Sequence, residues 1–86
     1  MRAAKVDSNQ VEIVSALRKL GCCVMHMHTL GKGVPDILVA RRGRLWLVEV
    51  KGPKGKLTPD QEAFHAAWPV HVVRSVDDAI KLVGAS

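Results

Sequence analysis

Asp36, Glu49 and Lys51 stand near the ends of two apolar runs, Ile37 to Ala40 and Leu45 to Val50. Two carboxylates and an ammonium could hold a divalent cation and steady negative charge on a phosphate, provided they converge on one point. Between the runs lies Arg42-Gly43, which suits the two-residue turn of a β-hairpin. In that hairpin Arg41 faces Arg44, Leu38 faces Leu47 and Asp36 faces Glu49. Directly opposed side chains leave the same face, with Cβ atoms roughly 4.5–5.5 Å apart. Lys51 lies two residues beyond Glu49 and projects from that face as well. A four-residue turn, Arg41 to Arg44, keeps the pairing, whereas a three-residue turn breaks it.

Two like charges opposed at the end of an apolar hairpin repel. Lys51 could offset the repulsion, and so could a divalent cation between the acids. Oxygen-only ligands suit Mg²⁺ or Mn²⁺, which keep several waters and also bind phosphate oxygens. Basic glycine loops flank the acids, with Lys32 on one side and Lys54 and Lys56 on the other. Such a site suits phosphodiester hydrolysis, with a cation polarising the phosphate and Lys51 orienting water or stabilising charge. The plainer reading is a hairpin whose polar ends meet solvent, Glu49 and Lys51 forming a surface pair. The conjunction of aligned acids, the lysine, Pro35 before Asp36 and the basic loops favours the chemistry.

The elements that must position these residues are legible. "DSNQVEIVSALRKLG" reads as a helix capped by Asp7 or Ser8, with Ile13, Val14, Leu17 and Leu20 at helical spacing and Gly21 as the stop. Residues 22–28 read as a strand, and residues 36–41 and 44–51 as the hairpin. Thr58 caps a second helix, with Pro59 in its first position, Gln61 three residues after the cap, and Pro69 ending it. "VHVV" is a short strand, and a last helix runs from its cap Ser75 to Gly84. The order α-β-β-β-α-β-α implies an α/β (α+β) fold, a mixed four-stranded sheet with helices on its faces.

A chain of 86 residues makes one domain, spanning 1–86, with a core thin enough for dimerisation to be expected. The net charge of +5 favours a polyanionic partner, nucleic acid first. With one Phe, two Trp and no Tyr, single-strand binding by rows of stacked rings is disfavoured. Cys22 and Cys23 are adjacent and staple no distant segments, which points to a reducing, cytoplasmic home. No apolar run approaches a membrane span.

At "VPD" and "EVK" the sequence resembles the bipartite signature of the PD-(D/E)XK nucleases. The wider layout, "EVKGPKGKLTPDQ" with a glycine loop before the first acid, resembles the VRR-NUC family, including its small stand-alone phage and bacterial members. The resemblance covers nearly the whole chain. It implies a restriction-endonuclease-like αβββαβα core. It implies Asp36 and Glu49 as metal ligands, the Val50 carbonyl as a third, and Lys51 as the catalytic lysine. Gln61 matches the glutamine of the family's helix after the signature. Glu12 falls where relatives carry an acid that reaches the metal through its waters. The resemblance further implies a Mg²⁺- or Mn²⁺-dependent homodimer that cuts branched DNA such as four-way junctions. This chain lacks the extra helices of larger relatives.

Several residues carry two readings. Gln61 could close the capping box on Thr58 or serve the site. Glu12 lies off the apolar stripe, where a helix residue is ordinarily solvated. His26 and His28 share a strand face but lack a zinc spacing with either cysteine. Arg41, Arg42 and Arg44 sit at the hairpin tip, roughly 15–20 Å from the acids, and could grip a distant DNA arm or keep an edge soluble. Lys32, Lys54 and Lys56 are better placed for phosphates. Trp46 and Trp68 suit the core or a dimer interface. The expected activity is metal-dependent DNA hydrolysis by a dimer. The rival is a module of the same fold that binds nucleic acid without cutting it.

Overall fold

The computed structural model describes residues 8–84. Helix α1 spans Ser8–Lys19, strand β1 Cys23–His26, β2 Ile37–Arg41, β3 Arg44–Val50, helix α2 Pro59–Ala67, β4 Val70–Val73 and α3 Val76–Leu82. Asp7, one of the two expected α1 caps, lies outside the described residues. The four strands form one sheet in the order β1-β2-β3-β4. β1 and β2 pair antiparallel, as do β2 and β3, while β3 and β4 run parallel across the α2 crossover. No described helix is long and apolar enough to cross a membrane.

Local chemistry sets the boundaries. At the end of α1 the Cys22 amide donates to the Leu17 carbonyl and the Gly21 amide to Arg18, with Gly21 at φ 89°. That is a Schellman closure, and it needs a residue without a Cβ penalty in the left-handed region. Arg42 and Gly43, at φ 52° and 79°, form the mirror-image turn that matches strand twist. They fix the register Ile37↔Val48 through Arg41↔Arg44. β1 ends two residues sooner than the sequence suggests. Beyond one further pairing bond, from the Met27 amide to the Asp36 carbonyl, the chain turns into a short 3₁₀ segment, His28–Leu30.

Alternation divides the sheet. Ile37, Val39, Trp46, Val48, Val50 and Val73 face α1 and α3, where Ile13, Leu17, Ala79 and Val83 complete the core. Asp36, Leu38, Leu47 and Glu49 project from the other face, where α2 reaches Glu49 through Gln61. Helix α2 itself buries none of its residues. It is seated partly by backbone approach: a Cβ on Gly33 would lie 2.2 Å from the Asp60 carbonyl oxygen, and Gly33 is also at φ +80°.

This contact makes a test of how α2 is seated. Alanine at Gly21 meets no atom within 4 Å and carries only the left-handed strain, roughly 1–2 kcal/mol. Gly33→Ala adds a collision with backbone, so its loss of stability in thermal unfolding exceeds that of Gly21→Ala. Equal losses would show that the loop does not press on α2.

Candidate active site

The hairpin register carries Asp36 to the position opposite Glu49, one step past the last strand pair. An Asp36 Oδ2 atom 2.7 Å from the Val50 nitrogen accepts that amide's hydrogen and ties the acid to β3. An extended residue points its N–H and C=O toward the same neighbouring strand. The Val50 carbonyl therefore also faces the Asp36 side. Lys51 continues the ladder on the opposite side, its amide donating to the Val73 carbonyl. Asn9 of α1 donates from Nδ2 to the Lys51 carbonyl at 3.1 Å, so the first helix is fastened to the end of β3.

Glu49 is no surface residue: it is 2% exposed. Its Oε2 accepts from Gln61 Nε2 at 3.1 Å, and its Oε1 lies 3.8 Å from His65 Nε2. Gln61 performs both of the jobs weighed for it, and does so simultaneously. Its Oε1 accepts from the Thr58 amide, closing the capping box, while its Nε2 reaches Glu49. The amide has both a donor and an acceptor end, so the cap aims the donor rather than competing with it.

Burial foremost, and then the hydrogen bond and charge of Asp36, push the Glu49 carboxyl from 4.5 to about 8, against the pull of Lys51. A Glu49 that keeps its proton is the cation-free answer to the repulsion. His65 is shifted down, first by burial and then by the charge of Lys51. Lys51 is thus close enough for its charge to act on both, although no Lys51–Glu49 ion pair forms among the described residues. The hard oxygens available to a cation are those of Asp36, Glu49 and the Val50 carbonyl. Among the described residues no three His, Cys, Asp or Glu side chains converge.

The remaining candidates fall around this centre or apart from it. Lys32 is exposed in the loop before Asp36, and Lys54 and Lys56 are exposed in the loop after Lys51. That second loop is strapped by Arg74, whose Nη1 donates to the carbonyls of Gly52 and Gly55 at 2.6 and 2.9 Å. Glu12 is exposed on α1. At the hairpin tip only Arg42 lacks a partner among the described contacts. Arg41 donates to the Val83 carbonyl at the end of α3, and Arg44 stacks over Trp46 at 4.9 Å. Trp46 is core at 5% exposure, and Trp68 is 54% exposed. His26 and His28 lie edge to face at 5.9 Å, with Gln10 Nε2 3.5 Å from His26 Nδ1. Sequence reasoning missed His65, Asn9 and Arg74. The first had a readable signal, since Gln61 and His65 are four apart and share a helix face.

An antiparallel hairpin joined through a helix to a parallel fourth strand, with an Asp, a Glu and a Lys at its open end, defines the PD-(D/E)XK class of nuclease fold. Residues 4–71 match the VRR-NUC domain, and the chain belongs to that family. A solved structure described as a VRR_NUC domain is 33% identical and superposes with a TM-score of 0.71, covering 86% of this chain and 88% of that one. No curated protein matches. Nucleases of this type generally work with divalent metals.

The Glu49 shift sets a pH dependence. The folded, metal-free protein keeps a proton that the unfolded chain releases above about 4.5, so stability falls as pH rises through about 8. His65 acts in the opposite sense below its ordinary 6.5, which leaves the decline clearest above that pH. Urea unfolding in EDTA reads on the order of 2–4 kcal/mol lost over the whole window, and Glu49→Gln abolishes the decline. A decline that survives Glu49→Gln would contradict the assignment.

Proposed function

We propose that this chain is a metal-dependent endonuclease that hydrolyses DNA phosphodiester bonds. The observation that carries the reading is the apposition of a half-buried Asp36 and a buried Glu49 beside Lys51. Two carboxylates and a strand carbonyl form a hard donor set that fits Mg²⁺ or Mn²⁺ with several waters retained. Such a cation, when bound, supplies Lewis-acid polarisation of the phosphate and acidifies a water. Asp36, Glu49 and the Val50 carbonyl hold it, and an exposed Glu12 reaches it only through water. Lys51 places an ammonium beside the acids, where it steadies charge developing on the phosphate. Gln61 keeps one Glu49 oxygen aimed. Lys32, Lys54 and Lys56 draw the DNA backbone to the site, and the Arg74 strap holds two of these lysines in place. Arg42 is the tip residue free to touch a distant arm, while Arg41 and Arg44 serve the fold first.

The open part of the sheet supports a homodimer. Met25, Leu45 and Trp68 are exposed at 61%, 68% and 54%, and Leu38 and Leu47 lie between them on one face. A contiguous apolar patch of this kind marks an interface. A second copy of the chain is the occupant we assign, because two sites then address two strands of a branched substrate such as a four-way junction. The setting is the cytoplasm of a bacterial host, on a bacterial or phage-encoded chain.

Cleavage of junction, flap, linear and single-stranded DNA tests the activity. Mg²⁺ or Mn²⁺ supports cutting, EDTA and Glu49→Ala abolish it, and Lys51→Ala slows it on the order of 10²-fold. Salt-dependent binding with no metal-dependent cutting would favour the rival binding module. In sedimentation, Leu45→Glu converts a dimer to a monomer with its fold intact; an unchanged mass would move the interface elsewhere.

A further inference from the structure

Glu49 Oε1 and His65 Nε2 are both buried, and neither has a hydrogen-bond partner in the described structure. They face each other at 3.8 Å, with the side chains 2% and 14% exposed. Buried polar atoms are nearly always satisfied, so an orphaned pair asks for a reason. The gap exceeds a hydrogen bond, at 2.7–3.2 Å, by about 0.6–1.1 Å, and a small side-chain rotation closes it. The other oxygen of the same carboxylate is already held by Gln61, one turn earlier on α2. Two donors from successive turns of one helix thus bracket a single carboxylate.

The geometry points to His65 as a positioning residue for Glu49: its Nε2–H closes on Oε1 and, with Gln61, fixes the carboxylate so that its free lone pairs turn toward Asp36. This deepens the nuclease reading and rests on it. Carboxylates that bind metals are themselves hydrogen-bonded, and a donor on each oxygen removes the rotation that would otherwise misaim the ligand. His65 acts through Glu49 and touches no reacting atom. No residue of α2 is fully buried in the core, and the ring that stacks on a neighbour is Phe64 on Trp68, not His65. The imidazole is therefore better explained by its carboxylate neighbour than by packing.

The test uses the full chain and Mn²⁺ alone, without DNA. Calorimetry compares wild type, His65→Leu and His65→Gln. His65→Leu keeps the bulk and loses the donor, and it weakens Mn²⁺ binding about 10–100-fold. His65→Gln restores a donor and recovers most of that loss. In cleavage assays the leucine variant lowers kcat and leaves KM for DNA in place. Its melting temperature without metal does not track the loss, which separates positioning from a structural role. Wild-type Mn²⁺ affinity in His65→Leu, or a glutamine variant no better than leucine, would overturn the inference alone and leave the nuclease reading standing. Nitrogen coupling to bound Mn²⁺ in electron spin echo spectra would replace positioning by direct ligation and also overturn it. Failure of the wild type to take up Mn²⁺ would sink both.

Discussion

The site depends on one constraint: two carboxylates on facing positions of the hairpin, one of them, Glu49, buried. Opposed charges of one sign are unfavourable anywhere, and burial multiplies the cost by lowering the dielectric around them. The protein accepts this because the hairpin leaves no choice. A mirror-image turn at Arg42-Gly43 sets the register, and the register puts Asp36 opposite Glu49. The amide of Val50 then grips Asp36. What remains is a corner that demands either a proton on Glu49 or a cation. Burial first, and Asp36 beside it, push Glu49 up to about 8.

Helix α2 ties the demand to the rest of the fold. Most small domains seat a helix by its apolar stripe. This one places no α2 residue in the core; its contacts include Gln61 and His65 on Glu49, the close approach of Gly33 to Asp60, and a half-buried Phe64 stacked on Trp68. The burial of Glu49 and the docking of α2 therefore support each other. Elements with few buried apolar contacts open at low free-energy cost. The cover of the site thus lies outside the core, which α1, α3 and the other face of the sheet form.

The features legible in the sequence are those fixed by neighbours along the chain. Gly21, the Arg42-Gly43 turn, Thr58-Pro59, Pro69 and Ser75 each act on residues within one helical turn, and each boundary falls close to where its chemistry places it. The acid pair was legible because a short hairpin converts spacing directly into facing positions. The early end of β1 was not, since it follows from where the loop after it must travel to meet α2. Asn9 and Arg74 were invisible for a related reason: each bonds across the fold, to Lys51 and to the loop of Gly52 and Gly55, whereas His65 could be read only from its spacing to Gln61. Arg41 and Arg44 read as a free basic cluster, yet α3 and Trp46 occupy them. Gln61 needed no choice between cap and site, because its amide serves both.

The most direct measurement is an anomalous difference map from a crystal of this protein grown with Mn²⁺. The account predicts a peak within coordination distance of one oxygen from Asp36 and one from Glu49. A saturating concentration of Mn²⁺ that leaves this corner empty, or a peak bound only elsewhere, would contradict it.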